Sequence, residues 1–263
     1  MNSERIEGLR AEIVEYSRRL HANGWVANHD GNLTARLTGD RLLCTPTAVS
    51  KGDVQPSWLI VVDGENQVIE GTRRAFSELQ LHRAAYGARP DISVVIHSHP
   101  PVTCGFAVAG VPLPHPMMAE PIVSLGPEIP MIPYFRPGDP ALSDAIGEAL
   151  QRADVVLLER HGMLAVGGGF EQAYLRMELV EHQAKIALNA SLLGGARLLP
   201  AEEVAALSKK GRPASDPPRD EYDPNGNEPG QASGLNPSRR SPAVQPEPPN
   251  VGALVDSALK RFS

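Results

Sequence analysis

Cysteine is nearly absent: Cys44 and Cys104 are the only two in 263 residues. Two thiols cannot staple a disulfide scaffold, and both sit in mixed apolar surroundings, as inert buried thiols do. Excess positive charge is also missing. Lys and Arg total 25 against 31 acidic residues, for a net charge of −6 and a pI near 5.8. That excludes the basic surface that nucleic acid or an anionic membrane would require. No stretch approaches the roughly 18 uninterrupted apolar residues of a membrane span. The N-terminus is charged and amphipathic rather than an apolar leader, so no signal peptide is expected. These absences predict a cytoplasmic protein with one substantial domain and some extra chain.

Among what is present, Val94-Val95-Ile96-His97-Ser98-His99-Pro100 stands out. Three β-branched residues running into His-Ser-His predict the end of a buried strand. Alternation along a strand puts His97 and His99 on one face, about 6.6 Å apart along the chain. Converging imidazoles can each place a nitrogen about 2.1 Å from a zinc ion. Pro100 and Pro101 cannot continue the ladder, so the pair sits at the strand's mouth. A second apolar run, Leu157-Leu158, leads through Glu159-Arg160 to His161-Gly162. Three neutral imidazoles with a displaceable carboxylate or water make a catalytic zinc site with an open position.

Helical spacing is expected over 4–23, 140–152 and 170–193, with His21 in a last turn and His182 at a packing or surface position. Ser77 is expected to N-cap a helix over 77–86, placing Glu78 in its first turn and His82 toward solvent or a neighbouring helix. Strands are expected at 42–44, 58–62, 90–99, 123–125, 131–134, 155–158 and 162–166. Residues 105–116 form a Gly- and Pro-broken passage holding His115. Gly167-Gly168-Gly169 lacks the GxGxxG order and is expected to be a turn. Strands interleaved with helices give a layered α/β domain.

Taken in order over about residues 5–200, Gly31-Asn32-Leu33-Thr34, Thr45-Pro46-Thr47, Ser77-Glu78, His97-Ser98-His99 and His161-Gly162 resemble a known family. It is that of the class II zinc-dependent sugar-phosphate aldolases, typified by L-fuculose-phosphate aldolase, which share their fold with the adducin head domain. The resemblance implies an α/β/α layered fold with a central, mainly antiparallel sheet, in a homotetramer with active sites at subunit interfaces. It implies Zn2+ on His97, His99 and His161, with Glu78 as a ligand that leaves to act as acid–base catalyst. The substrate phosphate would lie among Gly31, Asn32, Thr47, Ala48 and Ser77. The reaction implied is reversible cleavage of a ketose 1-phosphate, of the L-fuculose 1-phosphate kind, to dihydroxyacetone phosphate and an aldehyde.

Three positions depart from the family pattern. Ala48 stands where glycine is usual and Phe76 where a second serine is usual, both expected to crowd the phosphate pocket. Pro116 replaces a tyrosine that acts as proton donor, and Tyr134 is the nearest later tyrosine. Sugar-phosphate epimerases, decarboxylases and dehydratases share the metal triad and are the alternative enzymes. A non-catalytic adducin-like domain, which lacks the histidine ligands, is the alternative outside enzymes.

The catalytic domain is expected to span 1–210. Residues 211–250 hold ten prolines and four glycines in 40 residues, too little apolar surface to offset ordering entropy, and so a disordered linker. Val251, Leu254, Val255, Ala258, Leu259 and Phe262 then form one apolar stripe at helical period. A helix over 251–263 is too short to be stable alone and needs a partner. Linker and helix together resemble the encapsulation peptides that bring enzymes into bacterial microcompartments, which implies shell or cargo proteins as partners.

Overall fold

The computed structural model describes residues 3–136 and 138–211. The linker expected over 211–250, Gly211 apart, and the amphipathic helix expected over 251–263 lie outside the described residues. In chain order the elements are α1 (Ser3–Ala22), β1 (Asn32–Arg36), β2 (Leu42–Cys44), β3 (Ile60–Val62), β4 (Val68–Glu70), α2 (Leu79–Ala88) and β5 (Val94–Ser98). There follow α3 (Pro101–Ala109), α4 (Ala119–Leu125), β6 (Met131–Ile132), α5 (Pro140–Leu150), β7 (Val155–Leu158), β8 (Gly162–Gly167), α6 (Phe170–Leu192) and α7 (Ala201–Ser208).

The strands form one 8-stranded sheet in the order β4-β3-β2-β1-β5-β8-β7-β6. Every neighbouring pair is antiparallel except β6 with β7. Side-chain alternation splits the core in two. Leu33, Ala35, Val94 and Ile96 face α1 and α6, packing with Ile13, Leu20, Met177 and Val180. Val95, Val156, Leu164 and Val166 face α2 and α5, packing with Leu81, Ala85, Ile146 and Leu150. The result is the expected three-layer α/β/α arrangement with a mainly antiparallel sheet.

This alternation positions the chemistry. His97 shares parity with Val95, so it emerges on the α2 side at the sheet's centre, directly opposite Asn32 of β1. The far end of α2 is tied down by Arg89, whose Nη1 donates to Asp154 Oδ1 at 2.9 Å and to the Leu150 carbonyl at 3.0 Å.

Several local expectations are corrected. The cap of α2 is Glu78, not Ser77, and no side chain caps the helix; the Glu78 carboxylate spends its hydrogen bonds elsewhere. Residues 123–125 belong to helix α4 rather than a strand, since its buried positions, Pro121, Ile122 and Leu125, recur at helical spacing. The passage over 105–116 begins inside helix α3, where Pro101 occupies the first turn and Gly110, at φ 65°, supplies the left-handed C-cap. Trp58 ends a 3-10 turn (Pro56–Trp58), which confines the strand to Ile60–Val62. His82 is wholly buried, not turned to solvent.

Candidate metal centre

The site forms where β5 ends beside the start of β8 and α2 begins above them. His97 is the penultimate residue of β5, and His99, just past the strand's end, has its backbone N–H donating to the Trp25 carbonyl at 2.8 Å. His161 stands on the β7–β8 turn after Arg160, which takes a left-handed φ of 59°. Gly162 is required by close approach rather than by φ. A Cβ there would stand 2.6 Å from the Ser98 carbonyl oxygen and closer still to His99 Cδ2.

The imidazoles of His97, His99 and His161 converge, each with a nitrogen within 4.8 Å of the others. Ring centroids are 4.7 to 5.2 Å apart. His97 Nδ1–H donates to the Met163 carbonyl at 3.0 Å, which turns the Nε2 lone pair inward. His99 Nδ1 lies 3.4 Å from Asp30 Oδ2, and its Nε2 faces His97 Nε2 at 3.1 Å. Burial pushes the His97 pKa down to about 3, against the pull of Glu78. Burial and the neighbouring His161 lower His99 as well. Both rings are therefore neutral at pH 7, the protonation state a divalent cation needs. Three inward nitrogens, two of them oriented by second partners, fit a metal of zinc's ligand preference.

Glu78 completes the cluster. Its Oε1 is 2.8 Å from His161 Nε2 and its Oε2 is 3.6 Å from His97 Nε2. Asn32 Nδ2 donates to Oε2 at 2.9 Å. Burial acts to raise the Glu78 pKa, but the hydrogen bonds with His161 and with the Asn32 amide hold it well below the usual carboxylate range. It is an anion at any working pH.

The residues expected to cradle phosphate flank this cluster. Gly31 has φ 70°, and a Cβ there would meet Val26 Cγ1 at 2.5 Å and the His97 carbonyl at 3.0 Å. Ala48 adopts φ 57°, which accounts for glycine as the usual residue at that position. The Asn32 side chain is occupied by Glu78 and His82, and its backbone pairs with His97 in the sheet. The Thr47 N–H is taken by the Arg74 carbonyl at 3.0 Å, linking its turn to the segment that leads to Glu78. Ser77 is exposed and shares a 540 Å³ cavity with Glu78, His161 and Tyr134. Phe76, expected to crowd the phosphate pocket, turns its ring into the core instead, 5.3 Å from the His82 ring.

The structure adds two residues to the surroundings of the site, Lys51 and His82. Lys51 is 2 % exposed, and its Nζ donates to the His29 and Val49 carbonyls at 3.2 and 3.1 Å. It thereby joins the turns that hold Gly31 and Ala48. Burial pushes its pKa down to about 8, with Asp30 and Glu78 pulling the other way. A lysine in a loop gives no sign of burial in sequence. His82 did leave a signal, its four-residue spacing between Glu78 and Tyr86 on one helix face.

The family model described as Class II Aldolase and Adducin N-terminal domain matches residues 11–188. The 5-deoxy-D-ribulose 1-phosphate aldolase of Bacillus thuringiensis serovar kurstaki is 30% identical over 202 residues, covering 76% of this chain and 94% of that protein. The 3-oxo-tetronate 4-phosphate decarboxylase of Cupriavidus necator is 31% identical over 182 residues, covering 68% and 82% respectively. The solved structure of an L-fuculose 1-phosphate aldolase superposes with a TM-score of 0.71 at 27% identity, covering 80% of this chain and 97% of that one.

Proposed function

Since the chain belongs to the class II aldolase and adducin family, as one of its metal-dependent lyases, we propose that it is a zinc-dependent aldolase acting on a ketose 1-phosphate. The products would be dihydroxyacetone phosphate and an aldehyde. The observation that carries this reading is the Glu78 carboxylate held against three converging imidazoles and opening onto a cavity.

His97, His99 and His161 would hold the zinc ion, with Glu78 as a ligand that can leave. Bound there, zinc would supply Lewis-acid polarisation of the substrate's oxygens. Glu78 moves the proton at the carbon freed when the carbon–carbon bond breaks. Its Oε2 stays on Asn32 while Oε1 is free to swing from His161. The Gly31–Asn32 turn, Thr47, Ala48 and Ser77 bind the phosphate. The left-handed turns at Gly31 and Ala48, with the Lys51 cation buried behind them, support that assignment.

The zinc-loaded protein incubated with a panel of ketose 1-phosphates, including 5-deoxyribulose and L-fuculose 1-phosphates, should release dihydroxyacetone phosphate from at least one. The similarity to a 3-oxo-tetronate 4-phosphate decarboxylase makes decarboxylation the second reading. Release of CO2 from such an acid, with no cleavage of any ketose 1-phosphate, would select it.

Two further parts of the proposal concern partners. The chain assembles as a homotetramer, a reading supported by Leu175, Leu188 and Leu192, which stand 49, 47 and 63 % exposed on α6; light scattering gives the subunit number. The tail over 211–263 is a separate linker and helix that docks this enzyme to a microcompartment shell, a reading supported by its composition and its apolar stripe. Fused to a fluorescent protein and co-expressed with shell proteins, it should give puncta that Leu254→Asp with Leu259→Asp abolishes.

A further inference from the structure

The geometry points to His82 as a positioning residue for Glu78, at the centre of a one-way hydrogen-bond chain running from Tyr86 through Thr34, His82 and Asn32 to the Glu78 carboxylate. This inference rests on the reading of Glu78 as the acid–base group.

Two periodicities interlock to build the chain. Glu78, His82 and Tyr86 recur every four residues and line one face at the start and along the length of α2. Asn32 and Thr34 alternate onto the face of β1 beneath it. Asn32 Nδ2 is 2.9 Å from Glu78 Oε2, and Asn32 Oδ1 is 2.6 Å from His82 Nε2. His82 Nδ1 is 2.8 Å from Thr34 Oγ1, which is 2.9 Å from the Tyr86 hydroxyl.

The direction of each bond follows from the charge at one end. An ionised carboxylate only accepts, so Asn32 must turn its NH2 toward Glu78. The reverse orientation would set two acceptors against each other. Asn32 Oδ1 therefore faces His82, and His82 must carry its proton on Nε2. Nδ1 then accepts, and the Thr34 hydroxyl gives it its single proton. The Tyr86 phenol is left to donate, to Thr34 Oγ1, to the Thr34 carbonyl at 3.0 Å or to the Ser93 carbonyl at 3.3 Å. His82 and Thr34 are fully buried, and Asn32 and Tyr86 are 4 and 7 % exposed. Water does not compete for these groups, and each bond polarises the next in the same sense.

The consequence falls on Glu78. With Nε2–H in place, the Asn32 amide has one orientation and pins Oε2, leaving Oε1 as the mobile oxygen. Without that donor the amide is free to rotate and present Oδ1 to the carboxylate, which repels it from its working position. His82 touches neither substrate nor metal ligands and acts through Asn32.

The test uses the zinc-loaded full-length enzyme with 5-deoxy-D-ribulose 1-phosphate, comparing Glu78→Gln, His82→Leu and His82→Gln. His82→Leu should keep stoichiometric zinc and a KM within a few-fold while kcat falls about 10–100-fold, the usual effect of losing an outer-shell partner. His82→Gln, which restores an N–H near the lost Nε2, should recover most of that kcat. Independently of activity, long-range 1H–15N spectra should show a neutral Nε2–H histidine that His82→Gln removes. A neutral Nδ1–H form at His82 would overturn the inference. So would unchanged kcat in His82→Leu, or a His82→Gln enzyme as slow as His82→Leu. Should His82→Leu fail to fold, the tautomer and His82→Gln still decide. Full turnover by Glu78→Gln would instead remove the acid–base reading itself.

Discussion

Within the cluster, His97 is fixed on both sides, by the Met163 carbonyl at Nδ1 and by the convergence of rings at Nε2. His161 stands on a turn and is the more replaceable of the two in structural terms. Replacing His161 by Ala should leave the fold intact and abolish both zinc content and turnover, as measured by metal analysis of purified protein beside an assay. Full zinc occupancy in that variant would take His161 out of the site. Lys51 allows a pH prediction whose sign is determined. Its folded-state pKa of about 8 lies below the 10.5 of a free lysine, so across that interval the unfolded chain holds the extra proton. Stability rises with pH wherever the unfolded state binds more protons. The wild-type protein should therefore gain stability relative to Lys51→Met on going from about pH 8 to about pH 10, read from urea midpoints. A difference that stays flat would show that Lys51 does not titrate in that window.

At the scale of elements, the centre depends on how closely β8 runs beside β5. Their register sets Ser98 opposite Met163 and His97 opposite Leu164. Gly162, at the first position of β8, lets the Ser98–His99 backbone pass without a Cβ in its way. Gly162→Ala should push β8 or the His99 ring aside, at about 1–3 kcal/mol, the usual cost of overpacking. Unfolding midpoints and zinc titration should both register the change, with weaker zinc binding. If zinc affinity and stability both match the wild type, the close approach has no functional weight. The same scale explains which elements a reading of pattern misplaces. Helix α4 is only Ala119–Leu125, and its residues 123–125 read as a strand because short apolar runs carry no decisive period. Helix α3 is flanked by prolines that suggest a broken loop, yet Pro101 sits in the first turn, where its missing N–H costs nothing.

For the whole molecule, the residues assigned to metal binding, proton transfer and phosphate binding all lie between Gly31 and His161, and the family match ends at residue 188. Deleting residues 211–263 should leave a protein that folds, binds zinc and turns over at the wild-type rate. Circular dichroism, metal analysis and the cleavage assay would check this together, and loss of zinc from the shortened chain would tie the tail to the active site. No described helix is long and apolar enough to cross a membrane.

The sequence alone determined the layered class, the strand that carries His97 with His99 just past its end, the third histidine and the carboxylate that joins them. Each of those is written in local terms: β-branched residues before a His-x-His, an apolar run before His-Gly, and an order of motifs along the chain. Three features were decided only in three dimensions. Lys51 became a buried tie between two turns, Phe76 went into the core rather than the pocket, and His82 linked to Asn32 of the sheet instead of facing solvent or a neighbouring helix. In each case the side chain's surroundings come from segments distant in sequence. Asn32 and His82 are 50 positions apart, and the pairing of β1 with β5 under α2 is what makes them neighbours. Periodicity can say which face of a helix a residue occupies, but what that face meets is a property of the assembled sheet.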